Sequence, residues 1–189
     1  MVDLSSIQNA AIFDGLGESE IRELESIARM EQTAKGHRLF RHGDTADTLY
    51  LVKDGRFALT IQVRALDDYF EMPVEQKMAG DALGWSSLVE PRKSIYSAYC
   101  TRSGSVFAFS REDLEAMLSS DPTLGYRFSH NLNQLIASRI RAVQQLWIEE
   151  VERSMERVEY WSHTKLSDEW ADAAEPHHKR VLWRRHASH

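Results

Sequence analysis

Gly80-Asp81-Ala82-Leu83-Gly84-Trp85-Ser86-Ser87-Leu88, followed by Arg92-Lys93-Ser94, is the stretch whose residue types and spacing best fit a binding chemistry. Two glycines flank a short turn, and the residues after Gly84 are enough for about one turn of helix. Backbone N–H groups at a helix start point outward without partners, and the helix dipole favours negative charge there. A cation four or five residues beyond the run can meet the same anion. Leu83, Gly84, Trp85, Ser86 and Ser87, with Arg92, Lys93 and Ser94, therefore read as a cradle for phosphate or another small anion. Gly-Asp and Gly-Trp turns are common, so the surrounding elements must decide whether the cradle is real.

Other chemistries find less support. His37 and His42 stand five apart across a glycine-bounded turn, with no carboxylate following at the spacing of a cupin-type metal enzyme. No Ser-His-Asp or paired-carboxylate pattern stands out. The expectation is thus not an enzyme, with no metal and no cofactor. Cys100, the one cysteine, lies in an apolar strand, reads as a small buried filler, and cannot form an internal disulfide. A reducing, cytoplasmic compartment is expected. No apolar run approaches the roughly 18 residues of a membrane span, and no signal peptide is expected from the N-terminal residues.

The 189 residues carry 42% hydrophobic side chains, enough for a core, and 28% charged ones. A net charge of −6 argues against a general nucleic-acid binder.

The elements around the cradle follow from periodicity. Residues 7–30 read as helical, with Ile21, Leu24, Ile27 and Ala28 on one face, Glu18 and Glu20 in the first turn, and Phe13 and Leu16 as an apolar anchor before it. From about residue 31 short runs punctuated by Gly36, Gly43 and Gly55 take over. Leu39-Phe40, Leu49–Val52, the alternating Phe57, Leu59, Ile61 and Val63, then Tyr69–Met78, Ile95–Thr101 and Val106–Phe109 read as strands of a sandwich or barrel. Lys53-Asp54-Gly55-Arg56 reads as a hairpin turn with Gly55 at positive φ. The helical period returns at Ser110-Arg111-Glu112-Asp113, a capping-box pattern, and at Asp121-Pro122, a carboxylate N-cap with proline at N1. The stripe Leu132, Leu135, Ile136, Ile140, Val143, Trp147, Val151, Met155 and Val158 then runs along a helix of ~35 residues, ~50 Å long. A domain of this size cannot bury all of it. Its outer part, centred on Ile136, Ile140, Val143, Trp147 and Val151, calls for a partner, and its own copy in a homodimer is the simplest. The alternative is a break near Glu149–Glu150 that folds the helix back. Residues 164–189 form a basic tail, with His177, His178, Lys179, Arg180, Arg184 and Arg185 around Val181, Leu182 and Trp183; it reads as a frayed terminus or as a contact for an acidic surface, an anionic ligand or a lipid headgroup.

In this order the parts resemble the cyclic-nucleotide-binding domain, the sensor half of catabolite-activator-type regulators. The resemblance rests on Phe13 and Leu16, on Gly36–Asp44, on Leu49–Gly55, on Gly80–Leu88 with Lys93-Ser94, and on Phe107–Leu114 and Asp121-Pro122. It covers residues 10–160. It implies an α+β, mainly β fold: a double-stranded β-helix or jelly-roll barrel flanked by helices, with a long C-terminal dimerisation helix. The expected divisions are 1–121 for the barrel with its N-terminal and short capped helices, 122–163 for the long helix and 164–189 for the tail. The resemblance also implies a cyclic nucleotide, cAMP or cGMP, bound by the cassette, and a base-side contact at Arg139.

Departures from the family pattern lie at the site itself. Trp85 stands where the family's ribose-binding glutamate belongs, the cation is Lys93 or, with a shift of one, Arg92, and Ile95 replaces an alanine. Lysine is a flexible point charge where arginine would grip two oxygens. Three readings stand open: a degenerate working cyclic-nucleotide site, a site repurposed for another small anionic or aromatic ligand with Trp85 as a stacking platform, and an empty relic in which Trp85 packs. At the level of function, a stand-alone sensor signalling through its dimer helix stands against a dimeric scaffold without a ligand, and more distantly a cupin-type enzyme. Without a helix-turn-helix pattern after residue 163, sequence-specific DNA binding is not expected, and output would pass through the helix, the tail or an unidentified protein partner.

Overall fold

The computed structural model describes residues 7–65 and 68–157. A 3-10 turn at Ala11–Phe13 leads into helix α1 (Glu18–Ile27), then strands β1 (Ala28–Thr33), β2 (Arg38–Phe40), β3 (Thr48–Ala65), β4 (Asp68–Lys77) and β5 (Ala82–Leu83). A second 3-10 turn, Trp85–Leu88, precedes β6 (Ser97–Ser110), α2 (Arg111–Ser120) and α3 (Pro122–Arg157). All strand pairs are antiparallel. The sheet runs β1-β6-β3-β4, with β2 added to β6 and β5 to β3. The result is a mainly β jelly-roll domain with flanking helices and a long C-terminal helix.

Alternation along β3 and β6 sorts their side chains into two cores. Leu49 and Leu51 of β3 and Phe107 and Phe109 of β6 join Ile12, Phe13, Leu24, Leu114, Leu124 and Phe128 in a helix-facing core. Phe13 meets Phe109 edge-on at 5.5 Å and lies 5.9 Å from Phe128, so the first turn, the sheet and α3 share one aromatic cluster. Val52, Phe57 and Leu59 of β3, with Leu83, Ala98, Cys100 and Val106, form the second, inner core. Cys100 is 1% exposed there, its Sγ 3.1 Å from the Arg102 carbonyl oxygen.

The caps fall where the sequence places them. Ser110 Oγ accepts from the Asp113 N–H at 3.1 Å and starts α2. Asp121 Oδ1 accepts from the N–H groups of Thr123 (2.8 Å) and Leu124 (3.2 Å) and starts α3. Asn131 donates to the carbonyls of Ile12 and Asp14, and Arg127 reaches Glu20, which ties the N-terminal turn to α3.

Three expectations need correction. Residues 7–30 are not one helix: α1 ends at Ile27, and Ala28 turns extended because β1 pairs with β6, Ala28 opposite Phe109. Lys53–Arg56 is not a hairpin turn but a bulged segment inside the continuous 18-residue β3, where the register against β6 shifts between Val52 and Phe57. Gly55 does hold positive φ, +89°, as a bulge rather than a turn requires. Ile95–Thr101 and Val106–Phe109 are not two strands but one, the 14-residue β6, and Ile95 lies outside it, exposed. The expected long helix after Asp121 does form, unbroken to Arg157, and the alternative of a break near Glu149–Glu150 is excluded. Residues 158–163 and the 164–189 tail lie outside the described residues.

A Cβ on Gly104 would lie 2.3 Å from the Asp54 carbonyl oxygen, and one on Gly55 would lie 2.7 Å from that of Arg102. The two long strands can approach this closely only with glycine on both sides. Gly104→Ala should lower the unfolding free energy by about 1–3 kcal/mol, read as a fall in the urea midpoint at unchanged slope.

Candidate functional site

The cradle residues come together as one element. Gly80 (φ +89°) turns the chain out of β4, and Asp81 Oδ2 accepts from the Met78 N–H at 2.8 Å to close that turn. Ala82 and Leu83 pair with Leu51 and Tyr50 of β3. Gly84 is left-handed (φ +73°), and a Cβ there would meet the Thr48 carbonyl oxygen at 2.6 Å. The 3-10 turn Trp85–Leu88 follows, closed by the Ser87 N–H to the Gly84 carbonyl at 2.9 Å. It is too tight and short for the full α-helical turn suggested by the spacing.

The predicted residues divide among different roles. Leu83 lies in the inner core. Phe40 and Tyr50, stacked at 6.1 Å, border Gly84 from the same side. Burial pushes the Tyr50 hydroxyl above its ordinary range, Glu31 and Asp47 adding to the shift and a Thr48 hydrogen bond opposing it. Trp85 packs half-buried against the helix-facing core, which favours the packing role over a stacking platform. Ser86 and Ser87 are buried, and Ser87 Oγ has no hydrogen-bond partner.

The two cations are held by protein groups. Arg92 adopts φ +56°, a strained conformation for a residue with a side chain. Its guanidinium lies 3.1 Å from Glu90 and 3.5 Å from Glu115 of α2. Lys93 is exposed and donates to Thr45 Oγ1 at 3.0 Å. Ser94 is buried, its backbone bonded to Gly43 and Asp44.

One polar group missed in the sequence stands on the inner wall. In β4, Lys77 faces Phe57 and Glu75 faces Leu59. Lys77 is 9% exposed, with Nζ 2.9 Å from Glu75 Oε1. The parity of β4 against the alternating Phe57 and Leu59 was the signal that could have found it.

On α3, Ile136 packs against its own chain's helix-facing core. Ile140, Val143, Leu146, Trp147 and Ile148 are exposed, Trp147 by 68%, and Val151 is half-buried. Arg139 is half-buried and belongs to a second compact unit that begins at that residue. Among the described residues no group of three His, Cys, Asp or Glu side chains is arranged to hold a metal, and no helix is long and apolar enough to cross a membrane.

Residues 30–121 match the profile of the cyclic nucleotide-binding domain family, a span that runs from β1 through the cassette to the end of α2. The barrel is a cyclic nucleotide-binding domain. Its fold is that of a regulatory, ligand-binding module. Thermus thermophilus catabolite activator protein is similar at 26% identity and TM-score 0.63, over 76% of this chain and 63% of that one. A cyclic nucleotide-binding domain from Methylobacillus flagellatus shares the fold at 20% identity and TM-score 0.64, over 77% and 81% of the two chains. The regulatory domain of Toxoplasma gondii PKA, solved with cAMP, shares it at 18% identity and TM-score 0.58, over 73% and 48%. Glutaminase 1 of Bradyrhizobium diazoefficiens is 25% identical over 138 residues; the match covers 73% of this chain but spans 21% of that protein.

A buried hydroxyl without a partner costs about 1–3 kcal/mol. Ser87→Ala should therefore leave the ligand-free domain as stable as wild type, or up to about 1 kcal/mol more stable, by chemical denaturation. A clear loss of stability would show that the hydroxyl is already bonded within the fold.

Proposed function

We propose that this cyclic nucleotide-binding domain is a regulatory sensor that takes a small anionic ligand, cAMP or cGMP among them, at the cassette Leu83–Ser87. The observation that carries this reading is Ser87: a completely buried hydroxyl, unpartnered, in the turn that opens at left-handed Gly84. A relic free to drift would gain by filling that position with an apolar side chain, whereas a bound oxygen-rich anion would satisfy it. The catabolite activator likeness and the cAMP complex of the Toxoplasma domain point to the same ligand class. Trp85, directed into the helix-facing core, removes the ribose-binding carboxylate without blocking the inner wall. Calorimetric titration of the purified protein with cAMP and cGMP should give binding that Ser87→Ala weakens about tenfold. No heat with either nucleotide up to millimolar concentration would defeat the reading.

A second observation concerns output. Five large apolar side chains between Ile140 and Ile148 are exposed on one helix. We infer that a second copy of the chain covers them, forming a homodimer through α3. Light scattering should give a dimer for wild type and a monomer for Val143→Asp/Trp147→Asp; a variant that remains dimeric would assign dimerisation to another surface.

A further inference from the structure

Lys77 differs in position from Arg92 and Lys93, the two cations that follow the cassette. Arg92 is engaged by Glu90 and Glu115, and Lys93 by Thr45. Lys77 instead lies on the inner wall, because residues opposite one another across an antiparallel ladder share a face and its opposite residue, Phe57, belongs to the inner core with Leu83 of the cassette. Lysines are almost never so buried without a partner, and its partner is Glu75, two residues back on the same face. An ion pair held in an apolar wall costs desolvation that two aliphatic side chains would not. The wall around it is otherwise Phe57, Leu59, Leu83 and Val74, with Phe40 and Tyr50 beside Gly84.

We propose that Lys77, in place of Arg92 or Lys93, is the cation that receives the ligand's anionic group, and that Glu75 is a built-in carboxylate holding the ammonium until the ligand displaces it. This rests on the ligand-binding reading given above. The wall defines the rest of the ligand: a small organic anion with an aromatic or aliphatic body, since it offers apolar contact around one positive charge. Binding is then an exchange of ion partners, so the ligand competes with a carboxylate of the protein itself.

The full chain is titrated with cAMP and with phenyl phosphate, as wild type, Glu75→Gln, Lys77→Met/Glu75→Gln and Lys93→Ala. Removing the competing carboxylate in Glu75→Gln should tighten binding about threefold. The double variant, which leaves no uncompensated charge, should weaken it about tenfold or more, and Lys93→Ala should leave it unchanged. In the unmutated protein, the Lys77 side-chain resonances should shift on saturation with cAMP, which tests the assignment even where a variant fails to fold. Binding by wild type with unmoved Lys77 resonances, or with a folded double variant that binds as well as Glu75→Gln, overturns the role of Lys77 and leaves the sensor reading intact. Wild type that binds neither probe overturns both.

Discussion

The pairing of β3 with β6 is the constraint on which the rest of the domain depends. These two long strands run side by side from Thr48–Ser110 to Thr60–Ser97, and each must serve two cores at once. A regular ladder would keep one parity from end to end. The register shifts between Val52 and Phe57 divide it into a section that feeds the helix-facing core through Leu49, Leu51, Phe107 and Phe109 and one that builds the inner wall through Phe57, Leu59, Ala98 and Cys100. Gly55 and Gly104 permit the strands to stay in contact through that irregular stretch. Removing either glycine would therefore disturb both cores.

The cassette hangs on the same ladder. Leu83 and Ala82 pair with Tyr50 and Leu51, so the turn at Gly84 is placed by β3, and its side chains part between the two cores: Leu83 inward, Ala82 and Trp85 toward the helices. Gly84 packs against the Thr48 carbonyl, and Arg92 reaches across to Glu115 of α2. The segment from Gly80 to Ser94 thus contacts sheet and helix together. A change in its shape would be felt by α2, which directly precedes the long helix. The segment thus joins the inner wall, through Leu83, to α2, through Arg92.

Much of this was legible in the residues. Ser110 with Asp113 and Asp121 with Pro122 mark helix starts by local chemistry alone, and they start helices here. Gly80 and Gly84 mark the cassette for the same reason. Where the reading failed, the deciding partner was remote in sequence. Lys53–Arg56 has the composition of a tight turn, and only Gly104 on the facing strand makes it a bulge. Ala28 continues the apolar face of α1, yet its backbone is claimed by Phe109. At the site, spacing drew attention to Arg92 and Lys93, which follow the cassette. It could not show that carboxylates at positions 90 and 115 and the hydroxyl of Thr45 hold them, nor that Lys77 turns inward. Those facts depend on strand register and on α2, and neither is local.

The burial of Cys100 has a consequence for following the domain in solution. It is the only cysteine, and it sits in the inner wall beside the very strands that carry Phe57 and Leu83. A thiol shielded to 1% reacts with an alkylating reagent only during the moments when that wall parts. Its labelling rate is therefore a clock for barrel opening, supplied by the natural sequence and needing no added probe. A ligand that settles against the inner wall would slow the clock.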